Sequence, residues 1–309
     1  MLAMLKRLED EDETEDLMRE DEQENLLERF KNINLEEADS EEIWELLPEK
    51  ERKQFESMVS RLGSNLSHSF DLPHYTPWWT VDRPKGIQEV EKEKDSDIPQ
   101  LPNELPDLKT MTKQTTSPHL IWNLIHILAI YSYLMRRSTG DLLEDPQDTL
   151  QVIEKLSVHV LFSTAPSCPY TSIEDVLGDI VERVLHLQEQ RLGKQKSGTR
   201  YDLKLLLLKD LTFLVPECNR ATFDLWQVLG EVSEKKKKKV ALAIRKLYFY
   251  WAVACSLEED RLDIVSAMVR NTLSKVEIEK KEFEQDHERA QQAIKEHQKS
   301  SSSKIQEIE

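Results

Sequence analysis

Glycine is scarce in this chain, at 7 of 309 residues. Phosphate-cradling loops and turn-dense all-β architectures both need glycine, where the backbone must approach a ligand closely or adopt a positive φ. Neither is expected here. Cysteine is scarcer still: Cys168, Cys218 and Cys255 are odd in number and far apart. That excludes a disulfide framework and supplies no C-x-x-C metal pair, so buried thiols are the expectation. Also missing are G-x-x-x-x-G-K-[ST], G-x-S-x-G and H-E-x-x-H. His126, His159 and His186 fall inside helical patterns, where packing or surface positions are commoner than general bases. The expectation is a protein without catalysis, with no catalytic, cofactor-binding or metal residue to name; an enzyme of unrecognised class ranks third among the readings.

Positive charge is also short, and the net −17 is uneven: residues 9–45 hold 18 acidic and 3 basic residues. Nucleic-acid affinity comes largely from Lys and Arg displacing counterions, so direct nucleic-acid binding is a secondary reading. The amphipathic start, with Leu2, Leu5 and Leu8 running into acid, offers no secretory apolar stretch. Nucleus and cytoplasm are the expected compartments. The same short stripe reads as the tail of a helix whose upstream part is missing, so the chain is expected to be truncated. Residues 119–135 are apolar almost all round, but they are short for ~30 Å of hydrocarbon and contain Asn123, His126 and Ser132. A core helix is expected there, and no membrane.

What is present is helical periodicity. Residues 1–39 read as an acidic arm, disordered or a solvated helix. Residues 40–81 read as a small helical pair, capped by Asp39 with Glu42 as capping-box partner, plus an aromatic Pro-Trp-Trp segment. Residues 82–117, with Pro99, Pro102 and Pro106, read as a linker or strap. From 118 to 277 the pattern predicts a multi-helix domain. Asp145 and Pro146 start a helix through Leu150, Ile153, Leu156, Val160 and Leu161, and Thr171 or Ser172 caps the next, which Gly193 closes. Residues 201–215 follow as a Leu-rich helix stopping at Pro216; Asn219 is a cap for another; 240–255 and a helix from near Ser256 complete the set. Residues 278–309 are expected to be a charged helix fraying into a tail. The fold class predicted is all-α.

Two features read as contacts. Pro77, Trp78 and Trp79 place large rings in extended backbone, where they either plug a groove in their own domain or anchor a partner. The expense of exposing paired indoles favours the internal alternative, and both remain open. With Trp44 and Phe55 they form the set of candidate partner-binding residues. Lys235, Lys236, Lys237, Lys238 and Lys239 form a basic run, read as an import signal or anionic-partner site, with a solvated helix or loop as the plain alternative.

The order of these pieces resembles the zinc finger HIT domain-containing protein 2 family. The resemblance rests on Leu47-Pro48-Glu49-Lys50 with Phe55 and Gly63, Pro77-Trp78-Trp79, Ile98-Pro99, and Ser117-Pro118-His119-Leu120 opening a helix that ends at Tyr131 and Tyr133. It continues from Leu211 through Trp251, covers most of residues 43–270 and is loose between 140 and 200. It implies an adaptor working with RuvB-like AAA+ ATPases and their co-chaperone complex in assembling spliceosomal U5 and related ribonucleoprotein particles. The family's front carries a Cys/His-rich HIT finger binding zinc, whereas this chain has no cysteine before Cys168. No metal site transfers, and zinc is expected only with a missing N-terminal finger. If ATPase contact runs through that finger, only a cargo-facing or scaffold half of the function is implied.

Overall fold

A computed structural model describes residues 52–53, 72–73, 75–80, 98–112, 117–164, 168–192, 200–231 and 238–306. Among them 75% are helical and none forms a strand, so the protein is all-α. Eight helices follow a 3-10 turn at Trp78–Thr80: α1 (Leu108–Met111), α2 (Leu120–Arg137), α3 (Pro146–Leu156), α4 (Ile173–Leu192), α5 (Arg200–Leu214), α6 (Cys218–Glu231), α7 (Lys238–Cys255) and α8 (Glu259–Gln306). The chain divides into two compact units, Ser69–Glu277, and Met1–His68 with Ile278–Glu309.

Within the 69–277 unit α2 is the axis, packed by α3, α4, α5 and α6. Every residue from Asn123 to Met135 is buried, which accounts for its nearly uniform hydrophobicity. An unpaired buried polar group costs about 1–3 kcal/mol, so the polar residues on such a helix need partners. They have them. Asn123 donates to the Tyr250 hydroxyl at 2.8 Å, His126 meets the Tyr170 hydroxyl at 3.2 Å, and Ser132 donates to Asp210 at 2.5 Å. One turn on, Arg136 grips both oxygens of the same Asp210 at 2.5 and 2.6 Å. No single helix among the described residues is long and apolar enough to cross a membrane.

The surrounding helices start where side chains satisfy their first-turn N–H groups. Asp145 accepts from the Asp148 N–H at 3.0 Å, with Pro146 next, because the first position of a helix needs no donor. Ser172, rather than Thr171, caps α4: its hydroxyl accepts from the Asp175 N–H at 3.1 Å while Asp175 reaches back to the Thr171 N–H at 3.0 Å. That geometry holds the Asp175 carboxyl below its ordinary pKa, chiefly through the Thr171 bonds. Two expected boundaries move. Helix α3 stops at Leu156, and Val160 and Leu161 are buried from a turn whose Val160 and Ser163 carbonyls accept from Lys246 at 2.9 and 2.5 Å. Asn219 lies inside α6, its side chain bonded to the next residue's N–H.

Helices α6 and α7 form the most extensive pair, lined by Phe223, Trp226, Tyr248 and Trp251 with ring centroids 4.7–6.1 Å apart. The unit's last element, the first part of α8, adds Val265, Val269 and Val276 to the core. Beyond Glu277 the expected charged helix continues: α8 runs to Gln306, with Phe283, His287 and Ala290 buried. Val276, Phe283 and Ala290 recur every seven residues, a stripe that His287 and a small Ala made hard to see as apolar. Of the expected 40–81 pair, Arg52 and Lys53 are described, and both are helical. The helical body also begins earlier than 118. Ile98 packs against the core, Arg220 donates to the Pro99 carbonyl at 3.1 Å, and Asp107 caps α1, which rests on α7. Of the two alternatives, linker or strap, residues 98–112 take the second: they are docked on the body.

Candidate functional site

The aromatic segment closes this strap. Pro77 and Thr80 make a tight 3-10 turn, the Thr80 N–H and hydroxyl both donating to the Pro77 carbonyl at 3.0 and 2.8 Å. The turn faces α5 and sends both indoles inward, leaving Trp78 2% and Trp79 6% exposed, with Pro77 buried beside them. Trp78 donates its indole N–H to the Tyr131 hydroxyl at 2.8 Å, and Tyr131 donates on to Asp224 at 2.6 Å. Trp79 lies 5.6 Å from the Tyr131 ring and edge-on to Trp78. Burial, then the Asp224 carboxylate, push the Tyr131 hydroxyl well above its ordinary pKa, and burial raises Asp224. Of the two alternatives for Pro77, Trp78 and Trp79, the burial and the Tyr131 contacts match the internal one. Trp44, Phe55, Lys235, Lys236 and Lys237 lie outside the described residues; Lys238 and Lys239 are exposed on the first turn of α7.

A second constellation gathers residues with reactive chemistry. The Tyr170 hydroxyl donates to Asp179 at 2.8 Å, so the 3.2 Å contact from His126 must be an Nδ1–H donating to Tyr170. His126 is thereby fixed as the Nδ1–H tautomer, its Nε2 buried without a donor. Arg183 holds the other Asp179 oxygen at 2.8 Å, and His159 lies 3.9 Å from it. Desolvation, with the charges of Arg183 and His159, lowers the His126 pKa to about 3. Cys168 donates to Asn123 at 3.0 Å, and burial raises its pKa. Burial likewise pushes Cys218 up to about 12 and Cys255 up to about 11. Nucleophilic cysteines need the opposite shift. These groups stay protonated thiols and a neutral imidazole, the states that suit a hydrogen-bonded interior. Zinc finds no donor set here: among the described residues no group of three or more His, Cys, Asp or Glu could hold a metal ion.

The third feature is open to solvent. A cleft of about 720 Å³ lies between Leu72 and Pro73 of the strap, Tyr133 and Arg137 at the end of α2, one face of α3 and the end of α4. Arg137 pairs with Asp148 across it. Val152 and Leu187 line it, with Gln151, Lys155, Gln188 and Gln190 as its polar groups. Sequence reasoning missed this cleft because no local spacing marks residues that converge from four elements. It missed Asp210 too, although a carboxylate inside the Leu-rich 201–215 run was the available signal.

No protein-family model, curated protein or solved structure matches the chain.

Proposed function

We propose that the protein is a noncatalytic assembly adaptor of the zinc finger HIT domain-containing protein 2 type. It works in nucleus and cytoplasm with RuvB-like AAA+ ATPases, their co-chaperone complex and spliceosomal U5 components. One observation supports this reading above others: residues that carry the resemblance, scattered from 77 to 251, meet in space. Trp78 and Trp79 close on Tyr131, Pro99 is held from α6, and Ser117 braces the start of α2 through the His119 N–H at 3.3 Å. Phe223, Trp226 and Trp251, within the last matching stretch, form one aromatic cluster. Affinity purification of the full chain with mass spectrometry tests it. RuvB-like ATPases or spliceosomal proteins should be recovered; recovery of neither, where a finger-containing member of the family recovers them, removes the reading.

The rival reading, an RNA-associated helical protein, draws on the basic run 235–239, of which Lys238 and Lys239 are described and exposed, standing where the α7 dipole already disfavours positive charge. It requires salt-sensitive affinity in a filter-binding titration, and a flat response disposes of it.

A further inference from the structure

The cleft beside the strap carries hydrogen-bonding capacity that the fold leaves unused. Arg137 is 17% exposed and spends one N–H on Asp148, leaving others of its five donors for a ligand. The Lys155 carbonyl accepts from Arg183 at 3.4 Å, but its ammonium has no hydrogen-bond or ion-pair partner among the described residues, and Lys155 lines the cleft from α3. Among the described residues lining the cleft, two cations meet one carboxylate, Asp148, which Arg137 engages. The occupant therefore brings an anion for the cations.

The rest of the lining narrows the chemistry. Leu72, Pro73, Val152 and Leu187 offer an apolar surface suited to one aliphatic side chain. Gln151 and Gln190 stand exposed at the rim, where amides both donate to and accept from a peptide backbone. The volume lies within the roughly 300–1,000 Å³ usual for ligand pockets, room for a short stretch of chain. A nucleotide suits it less well. Phosphates favour helix N-termini, but at the start of α3 the Asp145 carboxylate already accepts from the Asp148 N–H, and Asp148 adds a second negative charge in the first turn.

We infer that this cleft is a docking site for an extended acidic segment of a partner protein, one placing an aliphatic side chain against Val152 and Leu187 and a carboxylate against Arg137 and Lys155. The inference does not depend on the adaptor reading. A failed purification of ATPases leaves it standing, and its own failure leaves that reading untouched.

The test pans a display library of random heptapeptides against the full chain, then measures the enriched peptides by fluorescence anisotropy. Sequences pairing Asp or Glu with Leu, Ile or Val should enrich. Lys155→Glu should weaken their binding at least about tenfold, as should replacing their acids by Asn and Gln, and rising salt should weaken it further. No enriched acidic motif, binding indifferent to Lys155→Glu, or displacement of the peptides by ATP would overturn the assignment.

Discussion

Along α2 thirteen consecutive residues are buried, whereas in the strap, over the described residues from 72 to 112, only Pro77, Trp78 and Trp79 are. The body is held by apolar area in every direction. Area of that kind is redundant, since losing one contact leaves many. The strap is held by specific contacts that include the two indoles, the Trp78–Tyr131–Asp224 chain, Ile98 against the core, α1 on α7 and the Arg220–Pro99 hydrogen bond. A segment tied down this way can open without the body unfolding, as low-stability elements do in other proteins.

That contrast can be broken at either end. The largest effect should come from the buried ion pair beneath the body. Asp210→Ala leaves Arg136 uncompensated and Ser132 without its acceptor, and should destabilise the whole unit by about 3–5 kcal/mol in urea melts. Acid should act on the body next. His126 has a lowered folded-state pKa, so between about 3 and its ordinary 6.5 the unfolded chain binds the extra proton. Stability should then be full above pH 6.5 and fall as pH drops toward 3, by an amount on the order of a few kcal/mol. Asp224, whose pKa burial raises, opposes this trend as pH falls through its own titration. His126→Leu should flatten the pH dependence of the melting temperature, and an unchanged slope would remove His126 as its source.

Smaller effects belong to the strap. Gly140 sits at φ +97°, and a Cβ there would lie 2.7 Å from the Tyr75 hydroxyl. Gly140→Ala should cost about 1–2 kcal/mol through backbone strain and should displace Tyr75, visible as faster proteolysis of the strap. Trp78→Phe keeps most of the apolar burial but deletes the donor to Tyr131. It should cost about 1 kcal/mol, with strap proteolysis again rising before the global melt moves.

Much of the body was legible in the sequence because burial writes a period into the chain. The apolar 119–135 run became α2, the Asp145-Pro146 pair started α3, and the 201–215 run ended before Pro216 as α5. The strap was legible only as one of two alternatives. Prolines at 99, 102 and 106 look alike in a free linker and in a docked one, and no local pattern announces that Arg220, 121 residues away, holds Pro99. Trp78 and Trp79 showed that something would cover them without showing what, since an internal groove and a partner surface demand the same rings. The cleft was invisible for the same reason: Leu72, Arg137, Lys155 and Gln188 belong together only once the helices are packed.

Amide hydrogen exchange read by mass spectrometry, comparing the native chain with Trp79→Ala, tests the two-part account most directly. The native strap segments 75–80 and 98–112 should exchange slowly, and the substitution should release both while α2 keeps its protection. Loss of protection in strap and α2 together, or a native strap that exchanges as fast as an unstructured peptide, would contradict it.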